Sequence, residues 1–279
     1  FHIPKISFTV AAFYGTPLFR GKIRILFKVY HKNPAVSTAK PAQFRRELDS
    51  FAYRPYNAKE RNYRFMDNRL LQIQNRTCHV YGTVGAEYLL LQMANEHDLA
   101  GMQREAEALR RQTAQPFLLV AVPVENWNDD LSPWSAPPAW GRQGFGGRAG
   151  DTLAWLEQAV PDIRRQDPVK EDAKVILGGY SLAGLFALWA ATQTDALYGV
   201  AAASPSVWFP GWAEYEAAHP IQAQRVYLSL GDREEHTKNQ TMAAVGDNIR
   251  ALHNALTRRG KDCTLEWNAG GHFKDADLR

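Results

Sequence analysis

The stretch AKVILGGYSLAGLFALWAA, residues 173–191, constrains the fold more than any other part of the chain. A β-branched apolar run stops at Gly178 and Gly179, and an Ala- and Leu-rich helical run starts at Leu182. A buried strand therefore passes into a helix with almost no loop between them. Strands of this kind belong to mostly parallel sheets with helices packed on their faces.

The same alternation runs along the chain from about Cys78. Strands are predicted at 87–94 (EYLLLQMA), 116–124 (PFLLVAVPV), 173–180, from Tyr198 (YGVAAASPSVW, with its loop), 225–231 (RVYLSLG) and 263–272 (CTLEWNAGGH). Between them the apolar spacing predicts helices at 99–113, 151–165 capped by Asp151, 182–194 and one long helix at 239–259. Strands alternating with helices in this way imply an α/β class, a doubly wound, mostly parallel sheet. Residues 125–150, rich in Trp, Pro and Gly, form a long irregular connection. Residues 1–60 do not share the pattern, although 8–15 and 22–30 could pair as a hairpin. The expected organisation is a basic N-terminal extension over 1–60 and one α/β domain over 61–279.

Composition narrows the function classes. A 45% hydrophobic and 22% charged chain of 279 residues has ample material for one large globular core. Its charge is uneven: residues 1–76 carry 15 Lys and Arg against 4 Asp and Glu. The arm lacks any nucleic-acid module signature, so a solvated basic face is expected and no nucleic-acid partner. Cys78 and Cys263 stand far apart without a CxxC partner, which indicates neither a disulfide framework nor structural zinc. No apolar run approaches the roughly 20 residues of a membrane span, and no signal-peptide pattern opens the chain, so the expected location is cytoplasmic with no membrane contact.

Ser181 is the candidate nucleophile. A serine hydroxyl becomes reactive when a base takes its proton and a sharp strand-to-helix turn exposes its oxygen, and such a turn requires small residues two positions either side. Gly179 and Ala183 meet that requirement in a G-x-S-x-A-G pattern. In this architecture the partners follow in the order Ser, acid, His. His272, in the glycine-bracketed loop after the last strand, is the candidate base. The acid falls in GDREE after strand 225–231, with Glu234 preferred and Asp232 its rival, because the group must accept the histidine Nδ1–H. Oxyanion donors are expected at the Leu182 backbone N–H and at Met93, or else Ala94, after the first core strand.

These residues resemble the esterase branch of the α/β-hydrolases, the group that holds enterochelin esterases, feruloyl esterases and S-formylglutathione hydrolase. GGYSLAGLFALWA looks like its nucleophile turn, AAASPSVWFPG like a Ser- and Trp-containing strand end, YLSLGDREEHTKN like its acid loop and LEWNAGGHF like its histidine loop. The likeness runs from about Cys78 onward and implies the α/β-hydrolase fold, a serine carboxylic-ester hydrolase working through an acyl-enzyme, a small-molecule ester substrate and no cofactor. Acyl transfer on the same residues, or a silent binding protein of the same fold, are the alternatives. Seven residues follow His272, where the family carries a closing helix.

Other features yield to plainer readings. His97, in EHD at 96–98, could touch substrate, but Asp98 fits better as a helix cap, and a metal needs more converging ligands. GFGGRAG follows a proline-rich loop rather than a strand, which argues against a dinucleotide site. Trp127, Trp134, Trp140, Trp208 and Trp212 sit in loops after strands or beside them, where open α/β sheets build their clefts, so Trp127, Trp134 and Trp208 are candidate pocket walls.

Overall fold

The computed structural model describes residues 65–139, 141–167 and 169–276. The extension expected over 1–60 and its candidate hairpin lie outside the described residues, as does Trp140.

An eight-stranded sheet forms the centre, in the order β1-β2-β4-β3-β7-β8-β9-β10. β1 (Phe65–Ile73) and β2 (Arg76–Thr83) make an antiparallel hairpin, and β2 pairs antiparallel with β4 (Phe117–Pro123). From there the sheet is parallel through β3 (Ala86–Ala94), β7 (Val169–Tyr180), β8 (Gly199–Ala203), β9 (Arg225–Gly231) and β10 (Asp262–Asn268). The expected parallel α/β sheet is present, with an antiparallel hairpin at one edge that periodicity did not announce. That hairpin is fastened to the helix over Ala149–Gln166 and its C-cap by an Arg69–Asp167 ion pair and by Trp155 Nε1 donating to Asn75 Oδ1 at 3.0 Å.

The helices differ in how they begin. α1 (Glu96–Gln112) starts three residues earlier than its apolar spacing suggested, because Asn95 and Asp98 form a capping box that satisfies the first amides. Asp98 thus acts as a cap, as expected. α2 (Trp127–Asp130) is one turn within the long connection, followed by the two-residue strands β5 (Ser135–Ala136) and β6 (Phe145–Gly146). α3 (Ala149–Gln166) does not begin at Asp151: Arg148 stands at its N-cap without a side-chain cap bond. Asp151 instead lies in the first turn, where its charge suits the positive end of the helix.

α4 (Leu182–Gln193) has no polar face, and every residue from Leu182 to Thr192 is buried. α5 (Trp212–Ala218) follows the β8 loop. The single helix expected over 239–259 is two: α6 (Gln240–Ala243), capped by Asn239 Oδ1 accepting from the Met242 amide, and α7 (Val245–Arg258). The last predicted strand ends at Asn268, which leaves residues 269–276 as a loop. No helix among the described residues is long and apolar enough to cross a membrane.

Candidate active site

β7 delivers Ser181 to the carboxyl edge of the sheet. The ladder to β8 closes with the Ser181 amide donating to the Ala203 carbonyl at 3.0 Å, and α4 opens with the Leu185 amide donating to the Ser181 carbonyl at 3.1 Å. Between those two bonds the backbone must reverse, and Ser181 takes φ 59° and ψ −118°, outside the ordinary regions for a residue with a side chain. The turn is tight enough that a Cβ at Gly179 would lie 2.5 Å from the Ala183 carbonyl carbon and 2.6 Å from its Cβ. The spacing of small residues around Ser181 is therefore a steric requirement of the turn.

The other two loops converge on it. His272 Nε2 is 3.0 Å from Ser181 Oγ, and its Nδ1 is 2.7 Å from Glu234 Oε2. Glu234 begins a 3-10 turn (Glu234–His236) just past β9, buried, and its second oxygen accepts from the Ser204 hydroxyl at 2.7 Å and the Gly231 amide at 2.8 Å. Burial acts to raise the Glu234 pKa, but the hydrogen bond and charge of His272, aided by Ser204 and Gly231, outweigh it and hold the carboxyl below its usual range. The group is an ionised acceptor at neutral pH.

Three neighbouring carboxylates divide three tasks. Asp232 turns the other way and its Oδ1 accepts from the Gly270 amide at 2.7 Å, so it secures the loop that carries His272 rather than the imidazole itself. Glu235 forms a two-pronged pair with Arg250, at 2.7 and 2.8 Å. Ser204, which the sequence reading did not single out, sits at φ 44° and reaches the acid. Its signal was the AAASPS strand end.

The oxyanion expectation divides as well. Leu182 is the first residue of α4, and its N–H has no carbonyl one turn back within the helix. Met93 and Ala94 correct the other half of the expectation. Val124 donates to the Ala94 carbonyl at 2.9 Å, so Ala94 faces β4, and by the alternation of a parallel ladder Met93 faces β7, where the Gln92–Gly178 rung directs its amide to the Gly178 carbonyl. Both amides belong to the sheet. The strand runs straight into the α1 cap, so the first amide beyond the ladder is that of Asn95, 3.2 Å from Asp98 Oδ2.

The aromatic candidates mostly pack. Trp134 donates from Nε1 to the Pro210 carbonyl at 2.9 Å and lies against Phe209 and Tyr215. Trp208 is buried beside Phe145, and Trp127 leans on the core from α2. His97 is exposed on the first turn of α1. The middle glycines of GFGGRAG serve close approach: a Cβ at Gly146 would meet the Asp129 carboxylate at 2.6 Å, and one at Gly147 would meet the Ser135 amide at 2.4 Å. Phe273, next to the candidate base, is 89% exposed, with its ring edge-on to His272 at 5.1 Å. Among the described residues no His, Cys, Asp and Glu cluster has the makings of a metal site.

Comparison with known proteins agrees with this architecture. The chain is 24% identical over 159 residues to the uncharacterized protein YbbA of Bacillus subtilis (strain 168), a match covering 55% of this chain and 64% of that one. It thus spans less than two thirds of that relative's length. Among solved structures it is similar to an IroE-like serine hydrolase from Shewanella oneidensis, with TM-score 0.58, 16% identity and 77% of each chain covered. It is also similar to the siderophore hydrolase EstB from Aspergillus nidulans, with TM-score 0.57, 18% identity, and 76% of this chain and 91% of that chain covered. At such identities these two structures speak for a shared fold. The model of the esterase family described as "Putative esterase" matches residues 75–273, most of the chain, and the chain belongs to that family, with the α/β-hydrolase fold of the two solved structures.

Proposed function

We propose that the protein hydrolyses small-molecule carboxylic esters through an acyl-enzyme on Ser181. The observation that carries this reading is the unbroken run Ser181 Oγ, His272 Nε2, His272 Nδ1, Glu234 Oε2, with steps of 3.0 and 2.7 Å across the ring. His272 takes the Ser181 proton as Oγ attacks the ester carbonyl, and Glu234 holds the ring with Nε2 toward serine and stabilises the imidazolium that forms. The Leu182 amide, at the positive end of α4, supports the oxyanion. The imidazolium then protonates the leaving alkoxide, and the alcohol departs. Water, deprotonated by His272, releases the acid and restores Oγ–H.

The similar structure named a siderophore hydrolase directs the first substrate panel toward siderophore esters beside p-nitrophenyl and feruloyl esters. Wild type, Ser181→Ala and His272→Ala are compared on that panel and with a fluorophosphonate probe. The expected result is hydrolysis and labelling by wild type alone, with losses of roughly 10⁴- to 10⁶-fold in kcat for either variant. Labelling that survives Ser181→Ala overturns the reading. Ester product instead of acid on adding an acceptor alcohol would move it to acyl transfer.

A further inference from the structure

The candidate base sits on a soft backbone. Gly270 and Gly271 precede His272, Gly270 at φ 110°, and glycines leave a loop many conformations to lose. Yet Nε2 must face Ser181 while Nδ1 faces Glu234, which fixes the ring's place to within fractions of an ångström. Fixing both nitrogens from the ring side alone leaves the main chain free to swing. The main chain of this loop is held from two directions. From the acid side, Asp232 Oδ1 accepts from the Gly270 amide at 2.7 Å and the Arg233 amide donates to the Gly270 carbonyl at 3.1 Å. From the nucleophile side comes Tyr180, the last residue of β7 and the one immediately before Ser181.

Tyr180 makes two different contacts with His272. Its hydroxyl donates to the His272 carbonyl oxygen, and its ring lies against the imidazole with centroids 4.9 Å apart and planes 31° from parallel. Its own backbone is locked by the rung to Ala203 in β8, so the side chain projects from a rigid base. A half-buried phenol in this position couples the nucleophile turn directly to the loop of its partner.

We propose that Tyr180 is a positioning residue for the base: by gripping both the carbonyl and the ring of His272 from the strand that ends in Ser181, it sets the Nε2–Oγ approach. The inference rests on the triad reading above, and its role is to keep two loops in register rather than to touch the ester.

Tyr180→Phe keeps the ring and removes the hydroxyl. Turnover of p-nitrophenyl acetate and fluorophosphonate labelling of Ser181 are both expected to slow about 3- to 10-fold, the scale of one lost hydrogen bond, with KM and the urea midpoint unchanged. Tyr180→Ala, which also removes the ring contact, slows both further. A second readout is the downfield proton resonance of the His272 Nδ1–H bonded to Glu234, expected to be sharp in wild type and broadened by exchange in Tyr180→Phe. Wild-type kcat, labelling and resonance in Tyr180→Phe overturn the proposal, as does a loss confined to KM or one that merely follows a lowered urea midpoint. His272→Ala in the same series separates the two ideas. Wild-type labelling in that variant defeats the triad itself, whereas an inert His272→Ala beside an unimpaired Tyr180→Phe defeats only the role of Tyr180.

Discussion

Ser181 and His272 stand 3.0 Å apart, yet they are held by opposite means. The serine lies between the buried end of a strand, residues 175–179, and a helix buried from Leu182 to Thr192, and its turn is set by contacts between backbone atoms. The histidine follows β10, an edge strand with no fully buried residue, and its loop depends on hydrogen bonds from Asp232, Arg233 and Tyr180. Packing is intolerant of added volume and indifferent to the loss of a polar atom. Hydrogen-bonded loops behave in the reverse way. The two halves of one site should therefore fail under different substitutions, and that difference can be measured.

The largest effect is expected at the Glu234–His272 contact. Glu234→Gln keeps the shape but offers an amide to Nδ1, and kcat should fall roughly 10³- to 10⁴-fold with little change in thermal midpoint. Loss of folding in place of loss of turnover would show that the buried carboxylate is chiefly structural. On the packed side, Gly179→Ala should lower stability by about 3 kcal/mol or more in urea titrations, because the new methyl overlaps backbone atoms of Ala183. Adding Ala183→Gly should not rescue it, since the carbonyl carbon 2.5 Å away remains. A rescued double variant would mean that the turn yields more readily than its geometry indicates. Asp232→Ala comes next, with kcat expected to fall about 5- to 10-fold as the Gly270 amide loses its acceptor, and with an unchanged urea midpoint.

The smallest effect distinguishes the two halves by pH. On β3, Gln92 donates to Glu105 of α1 at 3.1 Å. Burial pushes Glu105 up to about 7, against the pull of the Gln92 bond and with the charge of Asp98 adding to the rise. A carboxyl raised on folding contributes stability that is complete below its unfolded pKa and is lost as pH climbs through the folded value. Glu234 is lowered, so its contribution is complete at neutral pH and is lost on acidification. The thermal midpoint should thus decline between pH 5 and 8 on account of Glu105 and decline below pH 5 on account of Glu234. Glu105→Gln should flatten the first limb and leave the second, as differential scanning calorimetry can record.

These contrasts also explain how far the sequence could be read. β4, β9 and the 175–179 stretch of β7 are buried on both faces, and continuous apolar runs such as PFLLVAVPV and RVYLSLG announce them. β1 lies at the sheet edge, and RLLQI mixes exposed Leu70 with buried Ile73, so no clean period marks it. Ser181 was legible because steric demand writes small residues at fixed spacing. The choice between Asp232 and Glu234 was open because both follow Gly231, and only the 3-10 turn decides which carboxylate swings inward. Met93 was misjudged because a capping box removes the loop that an oxyanion donor was expected to occupy. Tyr180 and Ser204 act across strands, through contacts with no counterpart in local pattern.

The long connection after β4 is tied to two other segments of the chain. Trp134 is tied to Pro210, Phe145 packs on Phe209 at 5.0 Å between centroids, and Asn239 Nδ2 donates to the Ala139 carbonyl at 2.7 Å. Residues 125–150 are thus joined to the segment after β8 and to the cap of α6. Exchange of that connection with one from another esterase would strand Phe209, Pro210 and Asn239 without their partners. The three segments are thus mechanically interdependent: a change in one is tolerated where the other two change with it, and alone it costs the contacts that the others supply.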